Sequence, residues 1–215
     1  MNLEKLNAKY LALSAEERVR EIQNDFADTL FTSSFGITSA FLLYLVKRVN
    51  KHPKIYFLNT TFHFAETLDY KEQLTKIFNL EVEELVAEKW KNNFMRDDKT
   101  WTKNADFCCQ INKVEPLENI KKNFSVWVSG LMAWQNKVRT EKNIFEEKNG
   151  IFKFYPLLDV TENEMNQYYE THYLPLHPLK NKGFDSVGCV QCTVKGIGRT
   201  GRWSGTLKTE CGLHL

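Results

Sequence analysis

The stretch Thr29-Leu30-Phe31-Thr32-Ser33-Ser34-Phe35-Gly36-Ile37-Thr38-Ser39 decides how this chain is read. Its first four residues are β-prone, its middle is a polar loop holding one glycine, and from Ser39 to Val49 the sequence is apolar and helix-like. Strand, tight polar loop and helix in succession aim free backbone N–H groups and a positive dipole end at one point, where an anion is stabilised. The same order recurs. Ile55-Tyr56-Phe57-Leu58 reads as a buried strand, Asn59-Thr60-Thr61 as its polar end, and Ala65 to Phe78 as a helix. Glu81 to Val86 alternates as a third strand and Val126-Trp127-Val128 is a fourth. Strands alternating with helices predict an α/β fold with a mostly parallel sheet and flanking helices on both faces. Ligands of such folds sit beyond the carboxyl ends of the strands, where both polar loops lie.

Upstream, Leu6, Tyr10, Leu13, Val19 and Ile22 recur at loosely helical spacing within residues 3–25, and Ser14 is placed to cap a helix ahead of Glu16 and Glu17. From about residue 180 the composition shifts, because seven of the ten glycines fall there, which predicts a loop-rich tail organised by its ligands. The expected organisation is therefore one domain over residues 1–215, with an N-terminal helical segment (1–27), a glycine-rich tail (about 180–215) and no fused thioredoxin-like domain.

The chain of 215 residues suffices for one good-sized core. No apolar run approaches the roughly 20 residues that span a bilayer. Residues Met1 to Arg20 mix charge with Leu and Ala and lack the apolar centre of a secretory signal, so a cytoplasmic protein is expected. A net charge of +2 is too small to argue for nucleic acid or a membrane surface. Basic residues do gather late in the chain (Lys195, Arg199, Arg202 and Lys208), where a small anion could be held.

In a reducing compartment the five cysteines are read as metal-binding or catalytic before disulfide-forming. Four fall in two pairs, the adjacent Cys108-Cys109 and the spaced Cys189-x-x-Cys192. A Cys-x-x-Cys pair alone is shared by zinc ribbons, redox pairs and iron–sulfur proteins. Directly adjacent cysteines suit neighbouring corners of a compact cluster better than a single zinc, and four ligands allow [4Fe–4S] or [2Fe–2S]. Lys113, four residues beyond Cys109, is a cation for the cluster or for an anionic substrate. The fifth cysteine, Cys211, is left over near the chain end, with Lys208 and His214 nearby as cations that would raise its thiolate fraction. Hydroxyls and N–H groups of Ser33, Ser34, Phe35 and Gly36 suit phosphate or sulfate oxygens, as do the guanidinium forks of Arg199 and Arg202. Without the lysine of a Walker loop, ATP-type γ-phosphate chemistry is disfavoured.

Taken together, these strings resemble the assimilatory sulfonucleotide reductases, which act on adenylyl sulfate or phosphoadenylyl sulfate. The carrying segments are Ser33-Ser34-Phe35-Gly36, Phe57-Leu58-Asn59-Thr60-Thr61, His63-Phe64-Ala65-Glu66-Thr67, Cys108-Cys109 with Lys113-Val114-Glu115-Pro116-Leu117, and Ser129-Gly130-Leu131. Later ones are Tyr155-Pro156-Leu157, Leu174 to Leu179, Gly183 to Cys192, and Gly201-Arg202-Trp203 through Lys208 to His214. The resemblance implies an adenine-nucleotide α-hydrolase-like fold and a two-step thiol mechanism. Cys211 would take the sulfo group from the nucleotide, and a thioredoxin or glutaredoxin would release it as sulfite. It also implies a [4Fe–4S] cluster on Cys108, Cys109, Cys189 and Cys192. Substrate contacts would come from Ser33, Ser34, Phe35, Gly36, Thr60, Lys113, Arg199, Arg202 and His214. Members with all four cluster cysteines resemble users of adenylyl sulfate, whereas the Ser-Ser-Phe-Gly-Ile loop is also similar to the phosphoadenylyl-sulfate branch.

The chain departs from the family pattern at three places. Asn59 and Thr61 replace an acid and a glycine, Met132 and Ala133 replace two arginines, and Ala105 replaces a histidine. Losing two buried cations beside a dianion would cost several kcal/mol, so the anion is then held by other residues, held more weakly, or differs. A non-catalytic nucleotide or iron–sulfur binding paralogue is the alternative, and retention of Cys211 weighs against it. The partners expected are the sulfonucleotide and the reductant, without nucleic acid or membrane, and with a homo-oligomer allowed.

Overall fold

Strand β1 (Thr29–Ser33) lies at the centre of a six-stranded sheet in the computed structural model, which describes residues 2–214. Successive side chains of a strand point to opposite faces. Phe31 accordingly joins the larger apolar cluster on one side, while Leu30 joins the smaller one on the other. The neighbouring strands, β2 (Lys54–Leu58) and β4 (Val126–Val128), divide their residues the same way: Ile55 and Phe57 against Tyr56, and Val126 and Val128 against Trp127. Strands buried on both faces need cover on both, and the helices supply it.

In chain order the elements are α1 (Leu3–Leu11), α2 (Ala15–Asp25), β1, α3 (Ser39–Val49), β2, α4 (Ala65–Phe78), β3 (Glu81–Leu85), α5 (Lys89–Asp97), α6 (Thr100–Lys103) and α7 (Ala105–Cys109). A π-helical turn (Gln110–Val114), α8 (Glu115–Lys121), β4, α9 (Lys137–Thr140), β5 (Phe145–Lys148), β6 (Ile151–Phe154) and α10 (Glu162–Thr171) follow. The sheet order is β3-β2-β1-β4-β6-β5. All pairings are parallel except β5 with β6. The chain winds outward from β1 to β3 and then returns to β4 on the other side of β1. That reversal opens a crevice at the carboxyl ends of β1 and β4, the usual ligand position in such sheets.

Helices α3 and α4 and the first four strands occur where the sequence predicts them, to within a residue at the strand ends. The N-terminal segment divides into two helices, because Ser14 caps α2 in a capping box with Glu17. Six helices beyond residue 85, the π turn and the β5–β6 hairpin lie outside what the sequence predicts. The hairpin did carry a signal: Asn149 and Gly150 both have positive φ (56° and 77°), as a two-residue Asn-Gly turn requires.

Arg18 of α2 pins the N-terminal helices to the rest. It is 3% exposed and donates to Tyr10 O (2.7 Å), Pro156 O (3.1 Å) and the Asp159 carboxylate (2.5 and 2.8 Å). Because a buried guanidinium is tolerated only when paired, Arg18→Ala should lower unfolding stability by about 3 kcal/mol, leaving buried carbonyls without donors. Urea unfolding measures this. A loss under about 0.5 kcal/mol, typical of a surface site, would sink the argument.

Candidate functional site

A cavity of about 450 Å³ occupies the crevice between β1 and β4. Ser33, Ser34 and Gly36 enter it from the first loop, and Ser129 and Gly130 from the end of β4. Lys113, Arg199, Arg202, Cys211 and His214 complete the wall. The sequence-predicted anion-binding residues therefore converge, with two exceptions.

Phe35 turns its ring into the core, fully buried edge-on against Phe57 at 5.4 Å between ring centres. It shapes the loop, in a left-handed backbone conformation (φ 46°) with its N–H donating to Ser33 Oγ (3.1 Å), and its side chain is not in the cavity wall. Thr60 is likewise buried away from the cavity and lies beside a cysteine, with its Oγ1 3.3 Å from Cys189 Sγ.

His214 also differs in role. Its ring stacks on Trp127 at 5.0 Å, nearly parallel, with Nε2 3.5 Å from Ser129 Oγ. Burial, together with the charge of Arg139, holds it well below the ordinary histidine value. It is neutral near pH 7 and is not the cation expected beside Cys211. Lys208 ion-pairs with Asp106 and lies over the Trp203 ring.

The two tail arginines are positioned by different means. Arg202 is buried, donates to Val187 O (2.9 Å) and stacks on Trp203 at 4.4 Å. Gly188 makes this possible, because a Cβ there would meet Arg202 Nη2 at 2.3 Å. Arg199 donates to Thr209 O (3.1 Å) and ion-pairs with Glu210 (3.3 Å). Burial and the nearby charge of Arg139 lower it to about 10, still charged at neutral pH.

Cys108 and Cys109 end α7, where the helix widens into the π turn. Asn112 donates to Cys108 O (3.0 Å) and lies 3.6 Å from its Sγ. Cys189 forms a backbone bridge with His63, and Cys192 O accepts from Trp203 N–H (2.9 Å). These thiols act on one another. Burial and then Cys109, Cys189 and Cys192 push Cys108 up to about 12, and burial with Cys189 and Cys109 pushes Cys192 up to about 11. Among the described residues no three His, Cys, Asp or Glu side chains converge on one point as a single ion needs. A multi-atom cluster holds its sulfurs further apart and requires no such convergence. Lys113 stands between the two sulfur sets: burial would lower it, but the thiols of Cys189, Cys211 and Cys109 reverse that and hold it above the usual lysine value.

Sequence reading missed Trp134, Arg139 and Glu210, all in the cavity wall. Arg139 donates to Glu210 (2.6 Å), the residue before Cys211. Met132, at one of the lost arginines, is buried in the larger core cluster, with Ala133 packed against it. Asn59 donates to Glu84 (2.6 Å), and Thr61 occupies its left-handed position (φ 64°) with its hydroxyl donating to Asn92 (2.9 Å). Eight buried side-chain N or O atoms among the described residues lack a hydrogen-bond partner, and six belong to residues of this cavity: His63, Trp134, Arg199, Arg202, Trp203 and His214. Since buried polar groups are normally satisfied, their concentration in residues of this wall sets it apart from the rest of the core.

A mostly parallel sheet, a polar loop after β1 and a polar crevice at the strand reversal define an α/β protein whose ligand position is the switch point of a doubly wound sheet. Within that class, the chain belongs to the phosphoadenosine phosphosulfate reductase domain family, whose model matches residues 28–195. It is 34% identical over 214 residues to an adenosine 5′-phosphosulfate reductase of Bacillus cytotoxicus, covering 94% of this chain and 90% of the relative. A crystal structure of phosphoadenylyl-sulfate reductase from Candida auris superposes with a TM-score of 0.76 at 23% identity, covering 89% and 96% of the two chains. An FMN adenylyltransferase of Candida glabrata does so at 0.63 and 14%, covering 88% and 70%. At these identities the structural likeness is one of fold. The family match ends before Arg199, Arg202 and Cys211, so their place in the site rests on the geometry above.

Three histidines make stability depend on pH. His177, fully buried, accepts from Leu179 N–H through Nδ1 and contacts Thr67 Oγ1 through Nε2 (both 3.1 Å), the pattern of a neutral ring. Burial lowers His177 and His63 to about 4, and His214 is lowered too. A depressed folded value means the unfolded chain binds more protons between pH 6.5 and 4, so stability falls as pH falls through that window. Going from pH 7 to pH 5 should cost about 2 kcal/mol for His177 alone. Urea midpoints across the range check this, and His177→Gln should flatten the slope. A midpoint constant from pH 7 to 5 would contradict it.

Proposed function

We propose that this chain is a sulfonucleotide reductase that takes adenylyl sulfate and forms an S-sulfo intermediate on Cys211. The observation that carries the reading is Cys211 opening into a cavity walled by Lys113, Arg199 and Arg202, at the switch point of a parallel sheet. Five cations and three carboxylates line that cavity, a surplus of two positive charges. This balance matches the dianionic phosphosulfate of adenylyl sulfate and leaves little for an added 3′-phosphate. The named relatives support the same preference.

In the first step the Cys211 thiolate attacks the sulfur of the phosphosulfate. An S–S bond forms, the S–O bond to the phosphate breaks, and AMP leaves with the electron pair. Charge grows on the departing phosphate, where preorganised guanidinium and ammonium groups stabilise it most. In the second step a thiolate of a dithiol protein, of thioredoxin or glutaredoxin type, attacks Cys211 Sγ and sulfite departs. The partner's second thiol then resolves the mixed disulfide, so the dithiol is oxidised and Cys211 returns as a thiol.

The cysteines Cys108, Cys109, Cys189 and Cys192 fit a [4Fe–4S] cluster: four buried or half-buried thiols in mutual electrostatic contact, with Thr60 Oγ1 and Asn112 Nδ2 beside two of the sulfurs. When bound, such a cluster supplies polarisable charge beside the substrate anion. Lys113 links the two regions through its charge, on which both Cys109 and Cys211 act.

Mass analysis of the tail peptide after mixing reductant-free protein with adenylyl sulfate should show one sulfo group on Cys211, and none in Cys211→Ser. Phosphoadenylyl sulfate tested in parallel should react more slowly. Faster reaction would reassign the substrate, and no adduct from either nucleotide would refute the reductase reading. Separately, protein reconstituted anaerobically should be brown and bind iron with acid-labile sulfide, and Cys192→Ser should lose most of that iron. Equal iron in the variant would rule out the four-cysteine assignment.

A further inference from the structure

Glu210 immediately precedes Cys211 and is 3% exposed. Its Oε1 accepts from Arg139 Nε (2.6 Å) and from Asn136 Nδ2 (2.8 Å), and its Oε2 ion-pairs with Arg199 Nη2 (3.3 Å). Arg139 is itself buried and is gripped from the other side by the Gln135 side chain. Arg199 also holds Thr209 O, so the two residues before the thiol are both fixed. Burial pushes the Glu210 carboxyl up, but the hydrogen bond from Arg139 and the charges of Arg139 and Arg199 win, holding it at about 2. The carboxylate stays ionised through the neutral range.

On the far side of the thiol a different anchor operates. Gly212 turns the chain in a left-handed conformation (φ 87°), Leu213 packs on the Leu30/Trp127 cluster, and His214 stacks on Trp127. Cys211 therefore lies between an ionic clamp and an aromatic one. The ionic clamp is the costlier to open, because opening it strands a buried guanidinium.

We propose that Glu210 is a positioning residue for the reactive thiol. Its carboxylate, clamped by Arg139 and Asn136, holds Cys211 in the cavity before any substrate arrives. Arg139 accordingly acts on the tail more than on the nucleotide. The kinetic part rests on the function proposed above, whereas the docking part stands without it.

The test uses the full-length chain and follows carbamidomethylation of Cys211 by iodoacetamide, read on the tail peptide by mass. Glu210→Gln and Arg139→Gln should each speed alkylation at least about tenfold, a shift of about 1.4 kcal/mol in the docking equilibrium. The double variant should be no faster than the singles, because one interaction is lost in each case. Asn136→Ala, which leaves both charges in place, should give a smaller rise and keeps the idea testable should the charge variants fail to fold. In turnover, Glu210→Gln should lower kcat at least about tenfold and change KM less than about twofold, since the cavity cations remain. Alkylation within twofold of the parent in both single variants overturns the clamp, as does a defect confined to KM. If the parent forms no sulfo adduct, the proposed function fails while the alkylation rates still decide the clamp.

Discussion

Lys113 lies in the cavity wall, where the charges of Cys189, Cys211 and Cys109 act on it, and burial by itself would loosen its proton. The sulfurs prevent this, since a cation among thiols that can ionise is stabilised more by their charge than it is penalised by lost water. The dependence is mutual: Lys113 is the largest influence opposing the rise of Cys109. The π turn at Gln110–Val114, with i→i+5 bonding, leads from Cys108 and Cys109 at the end of α7 directly to Lys113. The cavity wall and the paired cysteines thus share one charge, and a change in one is felt by the other.

Much of the fold was legible because β1, β2 and β4 are apolar runs with polar ends, and the rule placing ligands at the carboxyl ends of parallel strands needs nothing more. The cysteine pairs were legible from residue type alone. What the sequence concealed was direction. Phe35 and Thr60 sit beside cavity residues in the chain, yet a half-turn of backbone sends one ring into the core and one hydroxyl to Cys189. His214 reads as a cation from its type, but burial on Trp127 removes the proton. Arg139 and Glu210 are 71 residues apart, and no periodicity reports a pairing at that range. The β5–β6 hairpin could have been found from Asn149-Gly150, and the six unanticipated helices are short or amphipathic only through tertiary contact.

The lost arginines at Met132 and Ala133 look grave in the sequence and less so in three dimensions. Met132 fills a core position where a guanidinium would need partners it does not have, and the same segment returns Trp134, Gln135 and Arg139 to the cavity wall. Crowding matters here, because Arg139 already lowers Arg199 by like charge, and each further cation would raise the cost of keeping the others charged. Trp134 contributes an unpaired indole N–H, a donor without charge. With five cations against three carboxylates, the wall keeps a positive surplus without the two arginines.

The glycine-rich tail follows the same economy of space. Its composition predicts a loop-rich segment, and its glycines serve close approach: a Cβ on Gly188 would strike the Arg202 guanidinium, and one on Gly201 would lie 2.1 Å from Val194 O. Without side chains at these points the backbone folds back on itself, as in the bridge between Thr193 and Arg202. Arg202 is thereby set against Trp203 in the cavity wall, and Arg199 reaches Thr209 and Glu210. The arginines then supply the order that helices and strands supply elsewhere. A segment held by ion pairs and stacking, with little regular structure, can be displaced without unfolding the sheet, because few backbone ladders must break. The proposed mechanism calls for that combination, since in it Cys211 faces a nucleotide inside the cavity and then a partner thiol outside it.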